Sequence, residues 1–383
     1  MRMNKFKAYY LTIFLSLFSY LESQDNDYYF FYNLNEGANL ISFPLIIDNN
    51  GIESFFTNNN PNLISNYDIP SNLISIISEG EIGLYNNDNW AGSLDQISTT
   101  KGYWLILDES ISFLYNGSNI NNTTYYLHPG SNLIAYPYNS EQSINDILPI
   151  YTQDILSAII GQNKSLLFHN NEVYGSLTSF KPGAGYWFIS DDYSIFQYSN
   201  EVQNTSSNAS NLYRDSNMEN INQSIVQSIY FVESIFISGE ENLDDLELNI
   251  YCNEMIVGQR NWNNKFSDLI AMGNDGYGWT NDYCTANEKV EIKNNSGDKL
   301  HIVRGGNEWI ANNYNIITLS DTDLGDLNFD NNRNITDIII MIEHITEINT
   351  INNPHKILLA DINLDETINI SDIIINIEYI LNN

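Results

Sequence analysis

Two stretches near the end of this 383-residue chain carry oxygen-bearing side chains at one repeating spacing. Asp326, Asn328, Asp330, Asn334 and Asp337 stand at positions 1, 3, 5, 9 and 12 of a twelve-residue loop. Asp361, Asn363, Asp365, Asn369 and Asp372 stand at the same positions of a second. A hard cation such as Ca²⁺ takes 6–8 oxygen ligands, and a loop of this length supplies them at this spacing, with position 7 giving a backbone carbonyl. That carbonyl belongs to Asn332 in the first copy and to Thr367 in the second. Two Ca²⁺ sites are therefore expected. A solvated acidic tail with chance periodicity is the poorer reading, because a slip of one residue in either copy destroys the register.

The loops need elements to hold them. An apolar run follows each, Ile338 to Ile345 and Ile373 to Leu381, long enough for a short helix packed against its twin. This duplicated loop–helix unit resembles a type I dockerin, an EF-hand-like calcium module that plugs into a cohesin domain. The family pattern is D-x-N-x-D-G-x-[VI]-N-x-x-D, usually preceded by Gly as Gly325 is here. The resemblance covers about 60 of the 383 residues. It implies a small all-α calcium-loop domain over 321–383, with a cohesin-type domain or a cell-surface scaffold as partner. Partner contacts would fall at loop positions 10 and 11, here Ile335-Thr336 and Ile370-Ser371 rather than two hydroxyls. Position 6, Gly in the family because the turn wants positive φ, is Asn331 and Glu366. Position 8 is Arg333 in the first copy and Ile368 in the second, so the second loop is nearer the pattern.

The chain is expected to be exported. Residues 1–23 read as a secretory signal, with Arg2, Lys5 and Lys7 before an apolar core from Ala8 to Leu21 and Ser23 as the small residue for cleavage. That core is shorter than the ~20 residues a spanning helix needs, and no later segment is long enough, so no membrane span is expected after cleavage. Formal net charge is −33 and becomes about −35 once the signal is removed. Such acidity excludes nucleic acid and anionic membranes as partners and suits Ca²⁺. Aromatic residues at 13% point to sizeable β cores rather than disorder.

Residues 24–198 contain an internal repeat, with units at 24–116 and 117–198. Gly37-Ala-Asn-Leu-Ile-Ser-Phe-Pro44 matches Gly130-Ser-Asn-Leu-Ile-Ala-Tyr-Pro137, and Gly102-Tyr-Trp104 matches Gly185-Tyr-Trp187. The first unit holds about ten extra residues between Thr57 and Leu73, read as a loop insertion. Each unit is expected to be β-rich, with one short helix. Trp104 and Trp187 recur inside apolar strands, which favours core filling over sugar stacking. Trp90 lacks a counterpart and is the better candidate for an exposed contact.

Residues 199–224 are polar and read as a linker. Residues 225–320 are expected to form a β-sandwich, in which Cys252 and Cys284 oxidise to a disulfide, as two thiols of an exported protein usually do. The Gly-rich loop from Met272 to Trp279 lacks the setting of a phosphate cradle. A turn on Asn274-Asp275-Gly276 is preferred there to a further cation site at Asp275. The upstream modules resemble those of exported marine-bacterial proteins with dockerin-like tails, which implies an architecture and no activity.

No catalytic constellation stands out. The five His are scattered away from metal-ligand spacing, and no nucleophile elbow or zinc-protease motif occurs. A glycosidase would need two carboxylates ~5–10 Å apart across a cleft, and the acidic pairs are adjacent in sequence. The expectation is a mainly β multidomain protein with a small helical calcium module. It would be a secreted, non-catalytic binding or structural protein tethered through its tail. The alternative is an accessory or catalytic component of a polysaccharide-degrading complex, with polysaccharide as a further partner and O-glycosyl hydrolysis as the activity.

Overall fold

The computed structural model describes residues 28–199 and 221–382, apart from 58, 87–88, 121–122, 239–242, 244–245 and 264–265. The expected signal sequence and most of the expected linker lie outside these residues. The first repeat runs β1 (Tyr28–Leu34), β2 (Gly37–Ser42), β3 (Leu45–Ile46), α1 (Ile52–Phe55), β4 (Leu63–Ser65), α2 (Ile69–Asn72), β5 (Leu73–Ser78), β6 (Glu81–Asn86), β7 (Asn89–Gly92), β8 (Gly102–Leu107) and β9 (Ile111–Asn119). The second runs β10 (Tyr125–Leu127), β11 (Gly130–Ala135), β12 (Gln142–Ser143), α3 (Ile144–Ile147), α4 (Ile150–Gln153), β13 (Leu156–Gly161), β14 (Lys164–His169), β15 (Glu172–Gly175), β16 (Ser179–Phe180), β17 (Gly185–Ser190) and β18 (Ser194–Phe196).

The repeat is visible in the topology. Five strands order as β2-β8-β5-β6-β7 in the first unit and as β11-β17-β13-β14-β15 in the second. The insertion is not a plain loop. It carries β4, which pairs antiparallel with β9. Strand β8 reads as an unbroken apolar run because both of its faces are covered. Tyr103, Leu105 and Leu107 enter the repeat's aromatic core, while Trp104 and Ile106 face a second cluster shared with neighbouring modules.

The two repeats meet about an approximate two-fold axis. The Ser42 amide donates to the Gly183 carbonyl at 2.8 Å, and its counterpart, the Ala135 amide, donates to the Thr100 carbonyl at 3.0 Å. Likewise the Leu133 amide donates to Glu79 and the Leu40 amide to Gln162, each at 3.0 Å. At the crossing, Gly102 and Gly185 face one another. A Cβ on Gly185 would sit 2.7 Å from the Ile41 carbonyl oxygen and 3.2 Å from the Gly102 Cα. This gives the Gly-Tyr-Trp signature a structural meaning. The glycine admits the other repeat's backbone, and the tyrosine hydroxyl accepts a backbone N–H five residues upstream, from Ser98 to Tyr103 and from Lys181 to Tyr186. The tryptophan packs between modules.

The third β unit comprises β19 (Gln227–Phe236), β20 (Glu247–Cys252), β21 (Met255–Asn261), β22 (Ser267–Met272), β23 (Glu291–Asn294), β24 (Lys299–Arg304) and β25 (Asn313–Ser320). These strands do not form the expected sandwich. They form one sheet in the order β21-β20-β23-β24-β25-β19-β22, curled until β21 and β22 approach as a nearly closed barrel. The parallel pairing of β19 with β25, distant in sequence, joins the two halves. Gly258 lets the seam close, since a Cβ there would lie 1.8 Å from the Ile270 carbonyl oxygen. Cys252 and Cys284 are joined as a disulfide across the end of β20. Ile221, Gln223 and Ser224, from the end of the expected linker, are buried. Tyr277 and Trp279 stack with ring centroids 5.2 Å apart and reach the inter-repeat cluster of Trp104 and Trp187. Asp275 locks that turn by accepting from the Ile225 and Tyr277 amides, at 3.1 and 3.2 Å, and from the Thr280 hydroxyl. No helix among the described residues is long and apolar enough to cross a membrane.

Gly185→Ala is expected to destabilise the protein by about 1–3 kcal/mol through overpacking, read as a lower midpoint in urea unfolding. Gly278→Ala, whose Cβ meets nothing within 4 Å, should stay within about 0.5 kcal/mol of the parent.

Candidate metal centre

After β25 the chain forms α5 (Ile335–Ile345), α6 (Pro354–Ala360) and α7 (Ile370–Asn382). Helix α6 stands between the two expected helices, started by Asn353, whose side chain accepts from the His355 and Lys356 amides, and by Pro354 in its first turn. The other helices begin earlier than the apolar runs suggest, at loop position 10. Asn334 and Asp337 form a capping box on α5, so positions 9 and 12 of the loop also start the helix.

The loops share a set of matching hydrogen bonds. Asp337 Oδ1 accepts from the Leu327 and Asn328 amides at 2.8 and 3.2 Å, and Asp372 Oδ1 accepts from the Ile362 and Asn363 amides at the same two distances. The other oxygen of each accepts from position 9, Asn334 or Asn369, at 2.9 Å. Position 1 collects the amides of positions 5 and 6: Asp330 and Asn331 at 3.3 and 2.8 Å for Asp326, Asp365 and Glu366 at 3.1 Å each for Asp361. These bonds hold positions 4 and 6 left-handed in both copies: Phe329, Asn331, Leu364 and Glu366 have φ of 63, 63, 60 and 68°. Three of these four side chains resist that region, which costs roughly 1–2 kcal/mol per residue. Strain kept at matching places in two loops marks a conformation that the carboxylates impose.

The donor set suits calcium when amide and carbonyl oxygens are counted with the carboxylates. Asp326, Asp337, Asp361 and Asp372 are at most 3% exposed. Burial pushes the Asp326 carboxyl up, and the neighbouring Asp337 charge adds to the effect. A cation between them would relieve both costs. Carboxylates alone do not complete a centre. Among the described residues, no three His, Cys, Asp or Glu side chains gather closely enough to hold a metal ion. The amides of Asn328 and Asn363 donate to Asp330 and Asp365 at 2.9 Å, and an end-for-end turn presents their oxygens instead. The Asn332 and Thr367 carbonyls, expected at position 7, accept from the Asn334 and Asn369 side-chain amides at 2.9 and 3.4 Å, while Asn334 and Asn369 Oδ1 accept from the Thr336 and Ser371 amides; a bound cation would take these oxygens in their place. Calcium bound here would supply the positive charge these oxygens surround.

Other expected residues fall as follows. Ile335 and Ile370 are well exposed at the first turns of α5 and α7, beside Thr336 and Ser371. Trp104 is buried and Trp187 partly so, and Trp90 leans on Tyr85 and Phe56 with ring centroids at 5.3 and 6.0 Å. Arg333, at position 8 of the first loop, reaches across to the second copy. Its Nε donates to Asn376 Oδ1 at 3.0 Å, and its guanidinium lies 3.7 Å from the Tyr379 ring centroid.

The barrel completes this unit. Val303 and Phe236 join its apolar core, and Arg304 lies 3.6 Å from Asp361. His355 is buried between the Phe236 and Phe329 rings, bonded to Ser320 at 2.8 Å. No protein-family model matches the chain, and no curated protein matches it either.

Glu366→Gly is expected to stabilise the helical unit by about 1 kcal/mol, since glycine adopts φ near 68° freely; thermal unfolding of the full chain reads this. Burial lowers the His355 pKa below its ordinary value, with Asp321 opposing. Its neutral form is the one the fold favours, so its contribution is complete above the ordinary histidine pKa and is lost as pH falls through the depressed one. The melting temperature measured at falling pH should drop less for His355→Gln than for the parent.

Proposed function

We propose that the chain is an exported, modular, non-catalytic protein whose C-terminal helices form a calcium-ordered, dockerin-like tether. The observation that carries this reading is the duplication of the two loops down to individual hydrogen bonds, with left-handed residues at positions 4 and 6 of each. In the first loop, burial and the Asp337 charge both disfavour the ionised Asp326, a cost that a cation would offset. The disulfide between Cys252 and Cys284 supports an oxidising compartment, in keeping with the signal-like stretch at 1–23. In this reading the repeats and barrel are the cargo or binding part. A cohesin-type domain or a surface scaffold takes the exposed first turns of α5 and α7 through Ile335, Thr336, Ile370 and Ser371.

Calorimetric titration of the full chain with Ca²⁺ is expected to give two sites. Asp326→Ala and Asp361→Ala should each remove one, and chelator should lower the melting temperature of the parent but not of the double variant. Absence of binding heat would sink the calcium assignment. A pull-down from surface proteins in Ca²⁺ and in chelator then tests the tether: recovery of a cohesin-type partner only with Ca²⁺ is the expected result.

A further inference from the structure

The two repeats share a strand order but not an edge. In the first, residues 113–115 of β9 pair on one side with β1 and on the other with β4, where Leu63, Ile64 and Ser65 oppose Tyr115, Leu114 and Phe113. In the second, β18 pairs with β10 in the matching register, Phe196 opposite Tyr125 as Phe113 is opposite Tyr32. Among the described residues no strand pairs with the other edge of β18.

The repeat tells which backbone groups line that edge. The Asn116 amide donates to the Asn62 carbonyl at 3.0 Å, and the Ser65 hydroxyl donates to the Ser112 carbonyl at 2.9 Å. Residues 112, 114 and 116 therefore face β4, and their counterparts are Ile195, Gln197 and Ser199. The Ser199 amide is taken by the Ile147 carbonyl at 2.9 Å, and among the described residues no strand pairs with the ladder groups of Ile195 and Gln197. An edge of this kind is a template for another strand unless Pro, Lys or a bulge guards it, and β18 has none of these.

The outer face changes with the edge. Where β4 is present, that face carries Ser112 bonded to Asn33 at 2.7 Å. Where it is missing, the same two positions are Ile195 and Tyr126, 62% and 70% exposed. A polar pair needs no cover; an apolar cross-strand pair gains from one.

We infer that the free edge of β18 accepts an extended peptide strand from another protein, antiparallel, as β4 is accepted by β9. The ligand is an apolar–apolar–hydroxyl segment like Leu63-Ile64-Ser65 with basic flanks. The basic flanks follow from Asp191 and Asp192, which lead into β18, and from the net charge of −33. A second copy of this chain would bring like charge against like. Main-chain bonds supply the affinity in such strand addition, and alternate side chains supply the selectivity.

The test is fluorescence anisotropy of the full chain with a labelled peptide carrying the sequence of residues 61–66 between lysine pairs. Saturable binding is expected, at least tenfold weaker for a glutamate-flanked version. Gln197→Pro, which deletes an outward donor, and Ile195→Lys, which charges an exposed side chain, should each weaken binding at least tenfold. Should Gln197→Pro lower the unfolding midpoint, Ile195→Lys alone decides. Lack of saturable binding overturns the inference, as does binding that survives Ile195→Lys, because the peptide would then be exchanging with β4. A concentration-dependent dimer in sedimentation that Ile195→Lys abolishes would also overturn it, in favour of a second copy.

Discussion

Two polypeptide backbones cross with nothing between them at Gly102 and Gly185, and the arrangement of all the β modules follows from that contact. With no side chain at either position, the Ser42–Gly183 and Ala135–Thr100 bonds can form on both sides of the axis. The crossing brings Trp104 and Trp187 to one place, and onto that apolar ground the barrel sets Tyr277 and Trp279. Buried ion pairing secures a second contact, where Asp268 of the barrel accepts from Ser165 and Ser176 of the second repeat and lies 3.6 Å from Arg260. Desolvated charges of this kind add orientation more than net stability.

The helical end obeys a different constraint, which is charge. Burying four carboxylates within two short loops is tolerable because backbone amides turn inward to meet them, and that inward turn forces bulky residues into the left-handed region. Local strain, buried negative charge and a shared oxygen-rich pattern are three aspects of one arrangement. Each becomes less costly around a divalent cation.

How much of this could be read from the residues depended on whether the signal was local. The repeat was legible because Gly-Ala-Asn-Leu-Ile-Ser and Gly-Ser-Asn-Leu-Ile-Ala stand at equivalent places, and the structure gives both the same strand order. The disulfide followed from there being two cysteines. The sandwich expected for 225–320 gave way to a nearly closed barrel, because the parallel pairing of β19 with β25 joins segments some eighty residues apart and leaves no mark on local periodicity. The insertion near 57–73 looked like a loop since Asn and Pro dominate it, yet Leu63-Ile64-Ser65 is enough for a strand once β9 offers an edge. In the loops the duplicated spacing of oxygen-bearing residues, which matching hydrogen bonds accompany in the two copies, was legible. The partner of Arg333 was not, because Tyr379 and Asn376 lie in the other copy and only the helix packing brings them near.

That crossing arginine gives the two loops something in common. Arg333 sits within the first loop, but Asn376, which it bonds, also donates to the Gly325 carbonyl at 3.2 Å, just ahead of the first loop. Asn376 belongs to the helix that the second loop starts. One side chain thus ties the root of the first loop to the helix begun by the second. A substitution at Asn376 would therefore disturb both the root of the first loop and the helix that follows the second.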